Sequence, residues 1–125
     1  MKDETKPAPD LRERTKQYAL RVIRLSQALP RNDGTAQVLG KQLLRSETSV
    51  AAHYREACRA KSNLDFISKL EGALGELDES DLWLELLGDS GVVKAARVQP
   101  LRAETNELIA ILVTMTKKVK ARKSN

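Results

Sequence analysis

A row of polar side chains has the spacing to place several reactive groups on one face of a helix. These residues recur at alternating steps of four and three and are Gln42, Ser46, Ser49, His53 and Glu56. Positions at this spacing share one side of an α-helix. Ser46 and His53 also fall in phase with the apolar residues around them. The sequence therefore predicts a polar stripe that faces the protein interior.

Two interpretations of this core polar stripe follow from its burial. It is either a binding site within the core, or a hydrogen-bonded layer that fixes the register of the helices. An unpaired buried polar group costs about 1–3 kcal/mol, so either arrangement requires partners. The second interpretation is favoured. We expect Ser46, Ser49 and His53 to be buried and hydrogen-bonded within or between subunits, without lining an open ligand pocket.

Catalytic chemistry finds few suitable residues. The only histidine, His53, and the only cysteine, Cys58, are five positions apart. That separation is about 140° around a helix, so they do not form a Cys–His pair within it. A single histidine also excludes the two Glu-x-x-His motifs of a di-iron bundle. Gly72 and Gly75 lie inside a helical pattern, outside any phosphate-binding loop. We expect no enzymatic activity, no metal or other cofactor and no small-molecule substrate.

The charge of the chain is uneven along its length. The formal net charge is +5, yet the segments 10–31, 35–61 and 92–125 carry +4, +3 and +6 while segment 62–87 carries −6. One interpretation is that the acidic helix pairs with its basic neighbours. The other is that the basic surface binds a polyanion such as nucleic acid. The candidate contacts are Arg14, Arg21, Arg24, Lys41, Arg45, Arg55, Arg59, Lys117, Lys118, Lys120, Arg122 and Lys123.

Four amphipathic helices account for most of the sequence. Apolar residues recur every three or four positions in four stretches, separated by short turn sequences such as Pro30–Gly34 and Gly88–Gly91. Asp10 and Ser62 have the residue types and following acids expected of helix N-caps. The last long helix is predicted to begin near Pro100, after a short helical turn over 93–98. Short connections impose antiparallel neighbours, so the fold class is all-α, a left-handed up-down-up-down four-helix bundle.

The domain boundaries follow from the same pattern. Residues 1–9 carry two prolines and no apolar periodicity, which is typical of a disordered leader. The bundle domain spans 10–119, and 120–125 forms a basic tail that we expect to fray. No apolar run approaches the ~18 residues of a membrane span, and the N-terminus lacks the apolar stretch of a signal peptide. We therefore expect a cytoplasmic protein that does not enter a membrane.

The third and fourth helices carry more apolar surface than one bundle core uses. The surplus lies in two short runs, and its members are Leu82, Trp83, Leu86, Ile109, Ile111 and Val113. Scattered apolar residues are normal on protein surfaces, but contiguous ones mark partner surfaces. The pattern predicts a homo-oligomer built through these two helices.

Several stretches of the sequence resemble a known family. The stretch Leu39–Ala57 (LGKQLLRSETSVAAHYREA), then 65–70, Glu79 with 83–87, and 104–108 are similar to the four-helix bundle proteins associated with intervening sequences of bacterial large-subunit ribosomal RNA genes. The likeness covers about residues 11–117. Its most specific part is Gln-Leu-x-Arg-Ser-x-x-Ser-Val, and the family usually has Asn where this chain has His53.

The resemblance implies a small bacterial homo-oligomer, commonly a ring of five subunits, without established enzymatic activity. A related branch is the accessory protein of diversity-generating retroelements, which binds a reverse transcriptase and nucleic acid. Two hypotheses therefore stay open. The protein is a basic oligomeric scaffold that binds nucleic acid or a reverse-transcriptase-like enzyme, or it is a protein–protein interaction module that binds no nucleic acid. Aromatic residues that could stack on bases are nearly absent from the basic stretches, so contacts to phosphate are expected to dominate.

Overall fold

A computed structural model describes residues 10–123 of the chain. Within that range there are four α-helices and no strand: Leu11–Gln27 (α1), Gly34–Cys58 (α2), Asn63–Asp89 (α3) and Ala95–Lys123 (α4). The predicted leader, residues 1–9, lies outside the described residues, as do the last two residues of the predicted tail. None of the four described helices combines the length and hydrophobicity needed to cross a membrane.

Local hydrogen bonds set the beginnings of the first three helices. The Asp10 carboxylate accepts the backbone N–H of Glu13 at 3.1 Å, and the Ser62 hydroxyl accepts that of Asp65 at 3.0 Å. These two contacts confirm the predicted N-caps. Asp33 caps α2 in the same way, accepting the Ala36 N–H at 3.0 Å. Each cap satisfies a backbone donor that has no partner within its helix.

The fourth helix differs from its prediction at both ends. It begins at Ala95 and continues without interruption past Pro100, its sixth residue. Proline removes one backbone hydrogen bond there, while the buried side chains of Val98 and Leu101 hold these turns on the core. At the other end α4 continues to Lys123, past the predicted domain end at Val119. Val119 is buried, and Lys120 forms an ion pair with Glu71 of α3 at 3.1 Å.

Each helix packs against the next one along the chain, and α1 also meets α4. The shared surface is smallest between α1 and α4. Cross-helix contacts show that α2 and α3 are antiparallel, because Arg45 reaches Glu79 while Glu56 approaches Lys69. The four helices thus pack as a helical bundle. Its core is mostly leucine and valine, including Val22, Leu43, Val50, Leu70, Leu77, Leu84, Leu87, Leu108 and Leu112.

Candidate nucleic-acid interface

Ser46 is the one member of the predicted polar stripe that lies in the core. Its hydroxyl is 2.8 Å from the hydroxyl of Ser80, in a buried hydrogen bond between α2 and α3. Each hydroxyl is also within hydrogen-bond distance of a carbonyl of its own helix, Leu43 at 3.2 Å and Glu76 at 2.9 Å. Ser46 is thus buried and hydrogen-bonded to the neighbouring helix, as expected of a hydrogen-bonded layer in the core.

The other four stripe residues lie farther from the core than predicted. Gln42 and Ser49 are half-buried, and Glu56 is exposed. The Ser49 hydroxyl donates to the Arg45 carbonyl of its own helix at 2.8 Å. The His53 side chain is 33% exposed, with its Nδ1 3.4 Å from a Glu56 oxygen without hydrogen-bond geometry. Ser49 and His53 are therefore only partly buried in the single chain, and their burial between subunits stays a prediction.

The physical reason is that α2 packs against two helices, α1 and α3, so that its buried arc is wide and centred away from the stripe. The buried positions in its middle are Gly40, Leu43, Ser46, Glu47 and Val50. The imidazole of His53 lies over Gly72 of α3. A Cβ at residue 72 would be 3.2 Å from this ring, so a larger residue there would require the ring to shift by a few tenths of an ångström.

Glu47 is the core residue that the sequence analysis missed. Its side chain is fully buried, and neither carboxylate oxygen has a hydrogen-bond partner in the part of the chain that the structure describes. Burial alone raises the pKa of this carboxyl to about 8, because a charge loses its hydration in the protein interior. The one signal in the sequence is spacing, since Glu47 follows Leu43 by four positions and precedes Val50 by three.

A second buried polar contact joins α1 to α4. The Tyr18 hydroxyl is hydrogen-bonded to the hydroxyl of Thr105, which also donates to the Leu101 carbonyl at 2.7 Å. Burial raises the pKa of Tyr18, and the carboxylates of Glu47 and Asp81 raise it further, whereas the hydrogen bond to Thr105 lowers it. Tyr18 therefore stays a neutral phenol at physiological pH.

Three of the predicted nucleic-acid contacts are engaged in ion pairs between helices. The guanidinium of Arg14 in α1 donates two hydrogen bonds of 2.8 Å to the carboxylate of Glu104 in α4. It also lies 2.7 Å from a carboxylate oxygen of Glu107. These hydrogen bonds raise the pKa of the Arg14 guanidinium. Arg45 lies 2.7 Å from Glu79, and Lys120 pairs with Glu71. Part of the basic charge thus pairs with acidic residues of neighbouring helices.

The remaining predicted contacts fall into two groups. Arg21, Arg24 and Lys41 lie along the middle and at the end of the bundle where α1 ends and α2 begins. The larger group lies at the opposite end, where α2 and α4 both finish. It comprises the exposed side chains of Arg55, Arg59, Lys117, Lys118 and Arg122, together with Lys123 at the last described position.

Charge is therefore concentrated at one end of the bundle. The segments 10–18, 52–72 and 114–123 meet there and contain twelve basic and five acidic residues. The segments at the opposite end, 24–45 and 76–99, contain six basic and seven acidic residues. We call the first of these the basic end. The split by segments in the sequence did not show this, because α2 and α4 bring their charges together only in the folded chain.

Two depressions open at the basic end. A cleft of about 460 Å³ lies between the end of α2, the start of α3 and the last turns of α4, and its lining includes Phe66, Val119, Lys61 and Arg122. A more apolar groove of about 580 Å³ runs beside α4, along Leu11, Tyr54, Ile111 and Met115. We call the first of these depressions the basic-end cleft.

The predicted oligomer residues occupy several surroundings. Leu82 and Leu86 of α3 are 45% and 39% exposed. Trp83, Ile109 and Ile111 are half-buried and pack against the core, Ile111 also lining the apolar groove, and Val113 is half-buried. The indole N–H of Trp83 has no hydrogen-bond partner within residues 10–123. Only Leu82 and Leu86 thus remain as exposed apolar side chains of the predicted set.

Four helices packed on a leucine-rich core, with charge gathered at one end, define a small basic helical-bundle protein. The chain belongs to the 23S rRNA-intervening sequence protein family, whose model matches residues 10–114. It is also similar to a crystal structure of a protein of unknown function from the S23 ribosomal protein family of Bacteroides thetaiotaomicron VPI-5482. The identity is 34% and the TM-score 0.79, over 85% of this chain and 97% of that one. No curated protein matches the chain.

Proposed function

We propose that the protein is a non-enzymatic, homo-oligomeric scaffold whose basic end binds nucleic acid. The observation that carries this proposal is the contrast between the two ends of the bundle. Arg14, Arg45, Arg102 and Lys120 pair with carboxylates of neighbouring helices, so their charge is engaged within the fold. The basic end as a whole contains twelve basic and five acidic residues. Its exposed cations outside these ion pairs include Arg55, Arg59, Lys117, Lys118 and Arg122.

Cations that are not consumed by internal ion pairs are available to phosphates. Each phosphate that they neutralise releases condensed counterions, which favours binding at low salt and carries no sequence information. A homo-oligomer repeats the basic end in every subunit, so weak contacts at each copy add to a useful avidity. The family resemblance also implies a nucleic-acid enzyme as a partner. Such an enzyme would bind the same oligomeric scaffold.

Neutralising the basic end should weaken nucleic-acid binding of every sequence about equally. The variant replaces Arg55, Arg59, Lys117 and Lys118 by glutamine, and binding to a fluorescent single strand is followed by anisotropy from about 50 to 200 mM salt. For the unchanged protein we expect log K to fall linearly with log salt. The slope should flatten in the variant by about 0.7 for each lost contact to a single strand.

A matched variant carries the same change of charge at the opposite end. It replaces Arg31, Lys41, Lys94 and Arg97, all exposed, by glutamine. We expect it to keep most of the affinity and the full salt dependence. Equal losses in both variants would mean that only net charge matters, and undetectable binding of the unchanged protein at about 50 mM salt would leave a protein-interaction module as the function.

The oligomeric part of the proposal is supported by the exposed leucines of α3. Apolar groups on a monomer surface gain free energy when a second copy covers them, at about 25 cal/mol per Å². The family resemblance favours five subunits arranged as a ring. Five copies of a 13.9 kDa chain have a mass of about 70 kDa.

Charged residues at Leu82 and Leu86 should dissociate the oligomer. In the double variant Leu82→Glu/Leu86→Glu, assembly would bury two carboxylates, whereas the single chain tolerates them because both positions are exposed. Light scattering should report about 70 kDa for the unchanged protein and the monomer mass for the variant. Leu64→Glu on the same helix, 60% exposed near its start, serves as the control. A monomer mass for the unchanged protein at micromolar concentration would refute the assembly.

A further inference from the structure

We propose that the basic-end cleft binds one unpaired nucleotide of a single-stranded nucleic acid, with the base against Phe66 and the phosphate between Lys61 and Arg122. This inference rests on the proposed function and specifies its ligand. It predicts that the protein prefers single strands to duplexes, which contact with phosphates alone does not require.

The cleft is assembled from three parts of the chain. Cys58 ends α2, Lys61 belongs to the link before α3, Phe66 lies in the first turns of α3, and Val119 and Arg122 lie near the end of α4. Its volume of about 460 Å³ is within the range of about 300–1,000 Å³ that is usual for small-ligand sites. The apolar floor of the cleft belongs to the protein interior, since Val119 is 7% exposed and Phe66 is half-buried against the core.

The charge of the cleft favours an anion. Lys61 and Arg122 are exposed at its rim. Two of the neighbouring carboxylates have partners: Asp65, beside the rim, accepts the backbone N–H of Lys61 at 3.2 Å, and Glu71 pairs with Lys120 at 3.1 Å. Glu56, the remaining carboxylate between residues 52 and 72, approaches Lys69 at 3.8 Å. Lys61 and Arg122 thus lie exposed at the rim, where a phosphate can contact both cations.

An aromatic side chain within the cleft selects for an unpaired base. In a duplex both faces of each base are covered by the stack, so a ring recessed between helices cannot reach them. A single strand can turn one base into the cleft and stack it on Phe66, while the neighbouring phosphate stays at the cationic rim. The structure brings Phe66 from the acidic α3 into the basic end, and this adds an aromatic group to basic stretches of the sequence that contain few.

The test compares a single strand of about 12 nucleotides with the same strand annealed to its complement, at about 50 mM salt. Phe66→Leu keeps an apolar side chain in the cleft but removes the ring, and Phe66→Tyr keeps the ring. We expect Phe66→Leu to weaken single-strand binding about tenfold and to leave duplex binding and the salt slope unchanged. Phe66→Tyr should bind like the unchanged protein. A 2-aminopurine in the strand should be quenched on binding, and this quenching should be lost in Phe66→Leu.

A rim variant covers the case in which Phe66→Leu does not fold, as judged by circular dichroism. Lys61→Gln/Arg122→Gln should weaken the single strand more than the duplex, whereas Arg31→Gln/Lys94→Gln at the opposite end should not. Binding of both nucleic acids with a ratio that these variants leave unchanged would overturn this inference and leave the proposed function standing. Binding of neither would refute the proposed function itself.

Discussion

Replacing Glu47 by glutamine should stabilise the folded protein by about 4 kcal/mol at pH 7.5, and the gain should vanish in acid. The wild-type carboxyl is fully buried without a cation or a hydrogen-bond donor among the described residues. Its pKa is about 8 in the folded protein, against 4.5 for an ordinary glutamate. Glutamine has nearly the same shape and cannot ionise. The variant therefore avoids the free-energy cost of keeping the Glu47 carboxyl protonated in the folded protein.

The sign of the pH dependence follows from the two pKa values. Below pH 4.5 the carboxyl is protonated in both the folded and the unfolded chain, and stability does not depend on it. Between pH 4.5 and about 8 the unfolded chain releases a proton that the folded protein retains, so the free energy of unfolding falls as pH rises. One pKa unit corresponds to about 1.4 kcal/mol, which gives about 5 kcal/mol over the whole window. Above pH 8 the effect is constant.

Urea unfolding at fixed protein concentration, repeated between pH 4.5 and 8, measures this difference. Glu56→Gln, an exposed position on the same helix, is the control and should leave the pH dependence of the wild type in place. If the wild type and Glu47→Gln lose stability in parallel across this window, Glu47 is ionised in the folded protein and the burial seen here is wrong.

Truncating Leu77 to alanine should cost about 2–5 kcal/mol of stability. Leu77 lies in the middle of α3, has no exposed surface and belongs to the continuous leucine core. Its removal leaves a cavity that neighbouring side chains fill only in part, so the loss exceeds the transfer free energy of the missing methyl groups. The midpoint and slope of urea unfolding provide the measurement.

Leu86→Ala on the same helix separates the core from the surface. Leu86 is 39% exposed in the single chain, so its truncation should cost less than about 1 kcal/mol when the protein is dilute. If Leu86 lies between copies, its cost should rise with protein concentration, while the cost of Leu77→Ala should not. Equal costs for the two variants in dilute protein would contradict the orientation of α3 described here.

The helices and their caps were predictable because the signals that define them are local. Asp10 and Ser62 act within three residues of their own positions, and Gly91, in the predicted turn after α3, adopts a positive φ of 81°. The continuation of α4 through Pro100 was not predicted. The helix continues because burial of side chains on both sides of the proline outweighs the lost hydrogen bond.

The residues of the polar stripe that lie outside the core of the single chain have a common cause. A single apolar stripe with steps of three and four predicts a helix with a narrow buried face. Helix α2 instead packs between α1 and α3. The wider buried arc includes Glu47 and leaves Ser49 half-exposed. Residue type also argued against Glu47, since glutamate is almost never buried without a partner.

The basic end and its cleft depend on residues far apart in the chain. Phe66 and Arg122 are separated by most of α3 and all of α4, and no periodicity within one helix relates them. The sequence established the amount of basic charge, and the fold determines where it gathers.

The small surface shared by α1 and α4 has a consequence for how the protein opens. α3 packs against both α2 and α4, while α1 is attached mainly to α2 and reaches α4 through few contacts, among them Arg14 and Tyr18. Local unfolding follows the path that breaks the fewest buried contacts. We therefore expect α1 to be the first cooperative unit to detach, with its amide hydrogens exchanging with solvent before those of the other three helices.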